Sequence, residues 1–187
     1  MARPALSAAL AAVVGSLFLA GCGGGGGSST KPAADWANGY CSAAVSWVDA
    51  FQSARAGIKS GGGPNVASAV DNAVSQVSAA TNTFTIALDR LGQPDTPDGS
   101  TSQATAKQLG NVVQGHVARA SAATQTNNEQ VTDAQRAAVV KTQATESIAA
   151  VSDATARLAK DDQALGAAMK ASSDCAKLNA ELAKEEG

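Results

Sequence analysis

The sequence predicts an all-α protein: an up-down helical bundle of about four helices, with a long last helix, a short C-terminal helix and no sheet. Three observations predict it. Apolar residues recur at helical spacing over most of the chain beyond residue 34. Between residues 65 and 91, Val70, Val77, Phe84 and Leu91 fall every seven residues, with Val74, Thr81 and Leu88 interleaved. That 3.5-residue seam is the pattern of coiled-coil-like bundle packing. No stretch alternates β-branched and polar residues with the period of two that a half-buried strand needs.

The first helix is expected over about 34–56. Trp36, Tyr40, Trp47 and Phe51 share one face of it, and such a stripe faces inward. The only aromatic residue further along the chain is Phe84. Aromatics are 3% of the chain, so the rest of the core must come from Ala, Val and Leu. Gly61-Gly62-Gly63-Pro64 ends this hairpin, with Pro64 suited to the first turn of the next helix. The second helix, about 65–91, carries the heptad seam and stops at Gly92. Pro94 and Pro97 keep the following loop out of helix.

A third helix is expected over about 102–126, with Leu109, Val112, Val113, Val117 and Ala120 on its apolar face. Gly110 and Gly115 each weaken it by about 1 kcal/mol relative to Ala. Asn127-Asn128 marks a turn, and Thr132 with Gln135 has the spacing of a capping box. The helix that follows runs to about 171 along a seam of Ile148, Val151, Thr155, Leu158, Asp162, Leu165 and Met169. If continuous it would be roughly 60 Å long, against roughly 40 Å for the second helix. Either it breaks, near Asp161 or Gly166, or one hairpin overhangs the other. Asp161 and Asp162 border the seam, which favours a bend or the bundle rim over a cation site, because no Glu-x-x-His pair accompanies them. Ser172-Ser173-Asp174 caps a last short helix with Cys175, Leu178 and Leu182 on its inner face.

Charge and motifs narrow the function classes. Fourteen Lys and Arg face sixteen Asp and Glu, a net charge of −2 with no basic run, which argues against nucleic acid. The single histidine, His116, has no strong metal ligand three or four residues away and reads as a surface or boundary residue. There is no C-x-x-C motif, and no G-x-S-x-G elbow surrounds a serine. The carboxylates are scattered. Gly23–Gly27 with Lys31 lacks both the preceding strand and the Lys-Ser/Thr order of a phosphate loop. The expectation is a protein that is not an enzyme, with no catalytic residue, no metal and no cofactor.

The N-terminus is the most specific stretch. Arg3 precedes an apolar run from Ala5 to Ala20 that is short for a membrane span, which takes about 20 residues. The run ends in Leu19-Ala20-Gly21-Cys22, which resembles the lipobox of bacterial lipoproteins. The resemblance implies that residues 1–21 are a signal peptide that is removed. Cys22 would then carry diacylglycerol and fatty acid such as palmitate. Residues 22–33 would be a flexible Gly/Ser tether and residues 34–187 the helical domain. It further implies a location on the extracytoplasmic face of the cell membrane, with the membrane itself as a partner through Cys22. The Trp36…Cys41…Trp47 start with a late Cys175 is similar to small helical lipoproteins of Gram-positive bacteria that have no assigned function.

With Cys22 taken by lipid, Cys41 and Cys175 are the thiols left, in a compartment that permits oxidation. In an up-down bundle the first helix starts where the long last helix finishes, so the two are expected to form a disulfide. Closing so long a loop stabilises by about 4–5 kcal/mol on the chain-entropy model. Two functions remain in view. One is a non-catalytic interaction module that binds an envelope protein or a cell-wall component. The alternative is a carrier of a small apolar ligand, with a pocket between helices.

Overall fold

A computed structural model describes residues 30–60, 66–125 and 132–186. The expected signal peptide, Cys22, most of the tether and the turns at Gly61–Pro64 and Asn127-Asn128 lie outside the described residues. Nearly everything else is helix: α1 (Ala33–Ser60), α2 (Val66–Leu91), α3 (Gly99–Gln125), α4 (Asp133–Asp161), α5 (Gln163–Ala171) and α6 (Ser173–Glu186). Two short strands, β1 (Thr30–Lys31) and β2 (Gln93–Pro94), pair in parallel.

The fold is all-α and bundle-like, and three parts of the expectation are corrected. There are six helices among the described residues, more than the four or so expected. Of the two readings of the long last helix, the break is the one found: Asp162 has extended backbone (φ −122°, ψ 101°) and divides it into α4 and α5. A small sheet exists, because Lys31 and Pro94 sit in register at the mouth of the bundle. The simple up-down arrangement changes with the helix count. Cys41, Asp49 and Gln52 of α1 meet Cys175, Lys177 and Glu181 of α6 in the same order. The C-terminal helix therefore runs alongside α1 in the same direction and is a full member of the core, with Leu178 and Leu182 buried.

The helix faces follow from the side chains. Trp36, Tyr40, Trp47 and Phe51 are all buried. Trp36 stacks on Tyr40 with ring centroids 5.6 Å apart, and Trp47 packs against Phe51 and Phe84 at 5.4 Å and 5.8 Å. The α2 seam is buried at Val70, Val74, Thr81, Phe84, Leu88 and Leu91, with Val77 packed at its margin. On α3, Leu109, Val113, Val117 and Ala120 face inward, but Val112 is 39% exposed. Adjacent positions 112 and 113 cannot both face a single inter-helix seam, and Val113 takes it. Gly110 is buried on α3 against Thr85 and Leu88 of α2.

The ends of the elements are set by local chemistry. Gly92 terminates α2 with φ 72°, the left-handed conformation that glycine adopts without a Cβ clash. Thr132 and Gln135 form a reciprocal capping box at the start of α4. Ser172 Oγ accepts the Cys175 N–H at 3.3 Å and opens α6.

Candidate functional site

The two ends of the bundle are built differently. At the end where α1 begins, polar and covalent ties gather. Asp95 N donates to Lys31 O at 2.7 Å, and Trp36 Nε1 donates to the Gly92 carbonyl at 3.0 Å. Cys41 and Cys175 form a disulfide with Cα atoms 4.9 Å apart, a separation that bridging allows without backbone movement. Further along α1, Trp47 Nε1 donates to Thr81 Oγ1 at 2.9 Å. Thr155 gives its own hydroxyl proton to the Val151 carbonyl at 2.7 Å, so Tyr40 is the donor in the 3.0 Å Tyr40–Thr155 bond. Burial pushes the Tyr40 phenol up to about 12, and the Thr155 hydrogen bond offsets part of that.

Asp162 is the polar centre of this end. It is 1% exposed. Its Oδ1 caps α5 by accepting from Leu165 N at 3.0 Å. Its Oδ2 accepts from Ser102 Oγ at 3.1 Å and from Thr96 Oγ1. The carboxylate therefore joins the α4–α5 break to the start of α3 and the loop before it. Burial raises its pKa, but the hydrogen bonds from Thr96, Leu165, Ser102 and Ala164 outweigh burial and hold it below the usual carboxylate value. Gly166 follows closely because a Cβ there would lie 2.2 Å from the Ala159 carbonyl oxygen. The carboxylate is thus a structural hub saturated with protein donors, while Asp161 beside it is exposed.

The opposite end holds a cavity of about 530 Å³. The C-terminal part of α1 contributes Phe51, Ala54 and Ile58, and α2 contributes Ala73, Val74 and Val77. Val117 and Ala120 of α3 and Val140, Ala144 and Ile148 of α4 complete the apolar wall. Its size falls within the roughly 300–1,000 Å³ of ordinary ligand pockets. Between Phe51 and Ile58 the inward position of α1 is the small Ala54, and α2 and α3 contribute the small Ala73 and Ala120 to the same wall. Small residues on facing helices leave volume that Trp47 and Phe84 fill elsewhere.

Sequence reasoning names the aromatic stripe and offers a pocket between helices as one of two readings, without naming the residues that line it. The signal was available in the small residues beyond Phe51, yet a void depends on where four helices cross. His116 lies near one edge, 14% exposed on its side chain. Its Nδ1 is 3.0 Å from the Glu146 carboxylate, 3.0 Å from Gln143 Oε1 and 2.7 Å from Arg119 Nη2. One ring nitrogen serves either the acceptors or the guanidinium, according to its tautomer. Arg119 Nε also donates to Gln143 Oε1 at 2.7 Å, which positions the Gln143 side chain in the cavity wall.

Among the described residues, no group of three or more His, Cys, Asp or Glu is placed to hold a metal ion. Within the same residues no helix is long and apolar enough to cross a membrane. Compared with models of protein families, with curated proteins and with solved structures, the chain matches none of them.

Proposed function

We propose that the protein is a lipid-anchored, extracytoplasmic carrier that binds a small apolar ligand between its helices without catalysing a reaction on it. The observation that carries this reading is the cavity of about 530 Å³ with an Ala/Val/Ile/Phe wall. The two functions expected from the sequence part company here: a carrier requires such a pocket, and an interaction module does not. Large apolar side chains that are exposed, Ile86, Val112 and Val139, fall one to each of α2, α3 and α4 among the described residues.

Anchoring at Cys22 would set the orientation. Thr30 and Lys31 lie at the bundle end opposite the cavity, and α1 leads from one to the other. At about 1.5 Å per residue, the cavity sits nearly 30 Å further along α1 than Trp36. The ligand would thus be held on the membrane-distal side, where an envelope protein or cell-wall component would meet it.

Binding is tested with Nile red, an uncharged dye that fluoresces in apolar surroundings. The wild-type domain is expected to bind it at a single site, and Ala73→Phe or Val140→Phe to abolish binding while the helical circular dichroism stays unchanged. Dye binding that survives both substitutions would sink the carrier reading. Anchoring is tested separately by metabolic labelling with palmitate: label should enter the wild type and be absent from Cys22→Ala. An unlabelled wild type would remove the anchor.

A further inference from the structure

Of the uncharged polar side chains in the pocket wall, one keeps a free donor, and its orientation is fixed. Gln143, Thr145 and Ser147 of α4 are those side chains. Thr145 gives its hydroxyl proton to the Lys141 carbonyl at 3.2 Å, and Ser147 gives its own to the Gln143 carbonyl at 2.7 Å. Neither has a proton left for a ligand. Gln143 differs. Its Oε1 accepts from Arg119 Nε at 2.7 Å. A guanidinium only donates, so the amide cannot be turned the other way round without setting its own N–H groups against Arg119. Gln143 Nε2 is thereby directed away from the guanidinium, with two N–H donors and no hydrogen-bond partner among the described residues. Behind the amide, Arg119 and Glu146 both contact His116, at 2.7 Å and 3.0 Å, so opposite charges offset each other there. The two cations that line the pocket, Arg55 and Lys141, are exposed, and Arg55 is engaged in an interaction of its own.

Resting on the carrier reading, we infer that the ligand is an uncharged apolar molecule whose polar group is a carbonyl, such as a lipid ester or ketone, and that Gln143 Nε2 donates to the carbonyl oxygen. The remainder of the molecule lies against the apolar wall of Phe51, Val74, Val77 and Ile148. One placed polar group in an apolar wall is the usual way a pocket fixes the orientation of its ligand. A carbonyl brings an acceptor and no proton, which matches an amide whose own oxygen is already taken. A pure hydrocarbon lying over Gln143 would strip the amide of water without replacing the bond, and that costs affinity. A neutral group also suits the place because the charges behind the amide offset each other, and no ion has to be dehydrated on binding.

The experiment is competition against bound Nile red by 2-undecanone and by undecane, which share a chain length and differ in the carbonyl. Inhibition constants are compared between the wild type and Gln143→Leu, so that the hydration of each competitor cancels. The substitution is expected to weaken the ketone about fivefold and leave the alkane within about twofold, as the loss of one neutral hydrogen bond allows. Gln143→Glu keeps an oxygen for Arg119 and offers the ligand a second oxygen in place of the N–H donors. It should lower the affinity of the ketone relative to the alkane at least as far. In the infrared, the carbonyl stretch of the bound ketone should lie at lower frequency in the wild type than in Gln143→Leu, a readout that a general loosening of the pocket would not move. An equal change for ketone and alkane would overturn the assignment while leaving the apolar pocket standing. A carbonyl frequency that the substitution leaves unshifted would also overturn it. Failure of Nile red to bind the wild type would overturn both this inference and the carrier reading.

Discussion

The end of the bundle that holds Trp36, Tyr40 and the Cys41–Cys175 disulfide buries its large side chains, and the end that holds Ala54, Ala73 and Ala120 leaves an open pocket between the helices. The same helices run through both. The difference comes from where the chain spends its few large side chains. Trp36, Tyr40, Trp47 and Phe51 occupy the first two thirds of α1, and Phe84 approaches from α2. Beyond them the small Ala54, Ala73 and Ala120 line the pocket. The closed end also carries the polar ties: the Trp36 and Trp47 indole hydrogen bonds, the Tyr40–Thr155 bond, the β1–β2 pair and the Asp162 hub. Stability and binding capacity are thus separated along the axis of the bundle. A rigid end can hold four helices at a fixed spacing while the other end leaves room between them.

The sharpest way to break this division is to remove the covalent tie. Cys41→Ser with Cys175→Ser opens a loop of 134 residues and is expected to lower stability by about 4–5 kcal/mol on the chain-entropy model. That is a large share of a typical 5–15 kcal/mol total, and urea unfolding measures it. Mass spectrometry of the unreduced protein should find no alkylatable thiol at either position; two free thiols would contradict the pairing.

Trp47→Ala removes the side chain that touches both Phe51 and Phe84 and leaves Thr81 without its indole donor. The expected loss is about 3–5 kcal/mol. A loss under about 1 kcal/mol would place Trp47 outside the core that organises the closed end.

Asp162→Ala deletes a helix cap and strands the Ser102 and Thr96 hydroxyls, for an expected loss of about 2–3 kcal/mol. The group also makes a pH prediction. Its pKa in the folded protein lies below the ordinary 3.8. Its contribution is therefore fully present above that ordinary value and is lost as the pH falls through the folded one. The wild type should lose more stability than Asp162→Ala on acidification below about pH 4, and parallel acid-unfolding curves for the two proteins would refute the assignment.

The contrast between the two ends is sharpened by adding volume to each. Ala44, fully buried at the closed end, should accept Leu only at a cost of about 1–3 kcal/mol. Ala73→Leu, beside the cavity, should change stability by less than about 1 kcal/mol because the added atoms enter empty space. Equal costs at the two positions would mean that the cavity end is as tightly filled as the other.

The smallest effect is expected from Tyr40→Phe, about 0.5–1.5 kcal/mol, since Thr155 keeps its bond to the Val151 carbonyl. Burial raises the phenol from 10.0 to about 12, so the folded protein favours the neutral form. Stabilisation from this group holds below pH 10 and is lost between 10 and 12, and Tyr40→Phe should remove that part of the alkaline instability.

The helix faces were legible in the sequence, because burial of a stripe needs only the helical period and a supply of apolar residues. The Trp36–Phe51 stripe, the α2 seam and the Ile148–Met169 seam are buried, with Val77 at the margin. The caps at Thr132 and Ser172 were legible too, since capping is a matter of a few neighbouring residues. The two cysteines paired by reasoning from the sequence are the two that the structure pairs. Other features depended on contacts between distant segments. A break in the last long helix near Asp161 or Gly166 was one of two readings. The structure places it at Asp162, whose carboxylate finds Thr96 and Ser102 some sixty residues away. The β1–β2 pair, the outward turn of Val112 and the course of α6 beside α1 arise in the same way. The cavity depends on tertiary structure most of all. Composition shows that small residues are plentiful, but only the crossing of four helices decides whether small faces small and a void remains.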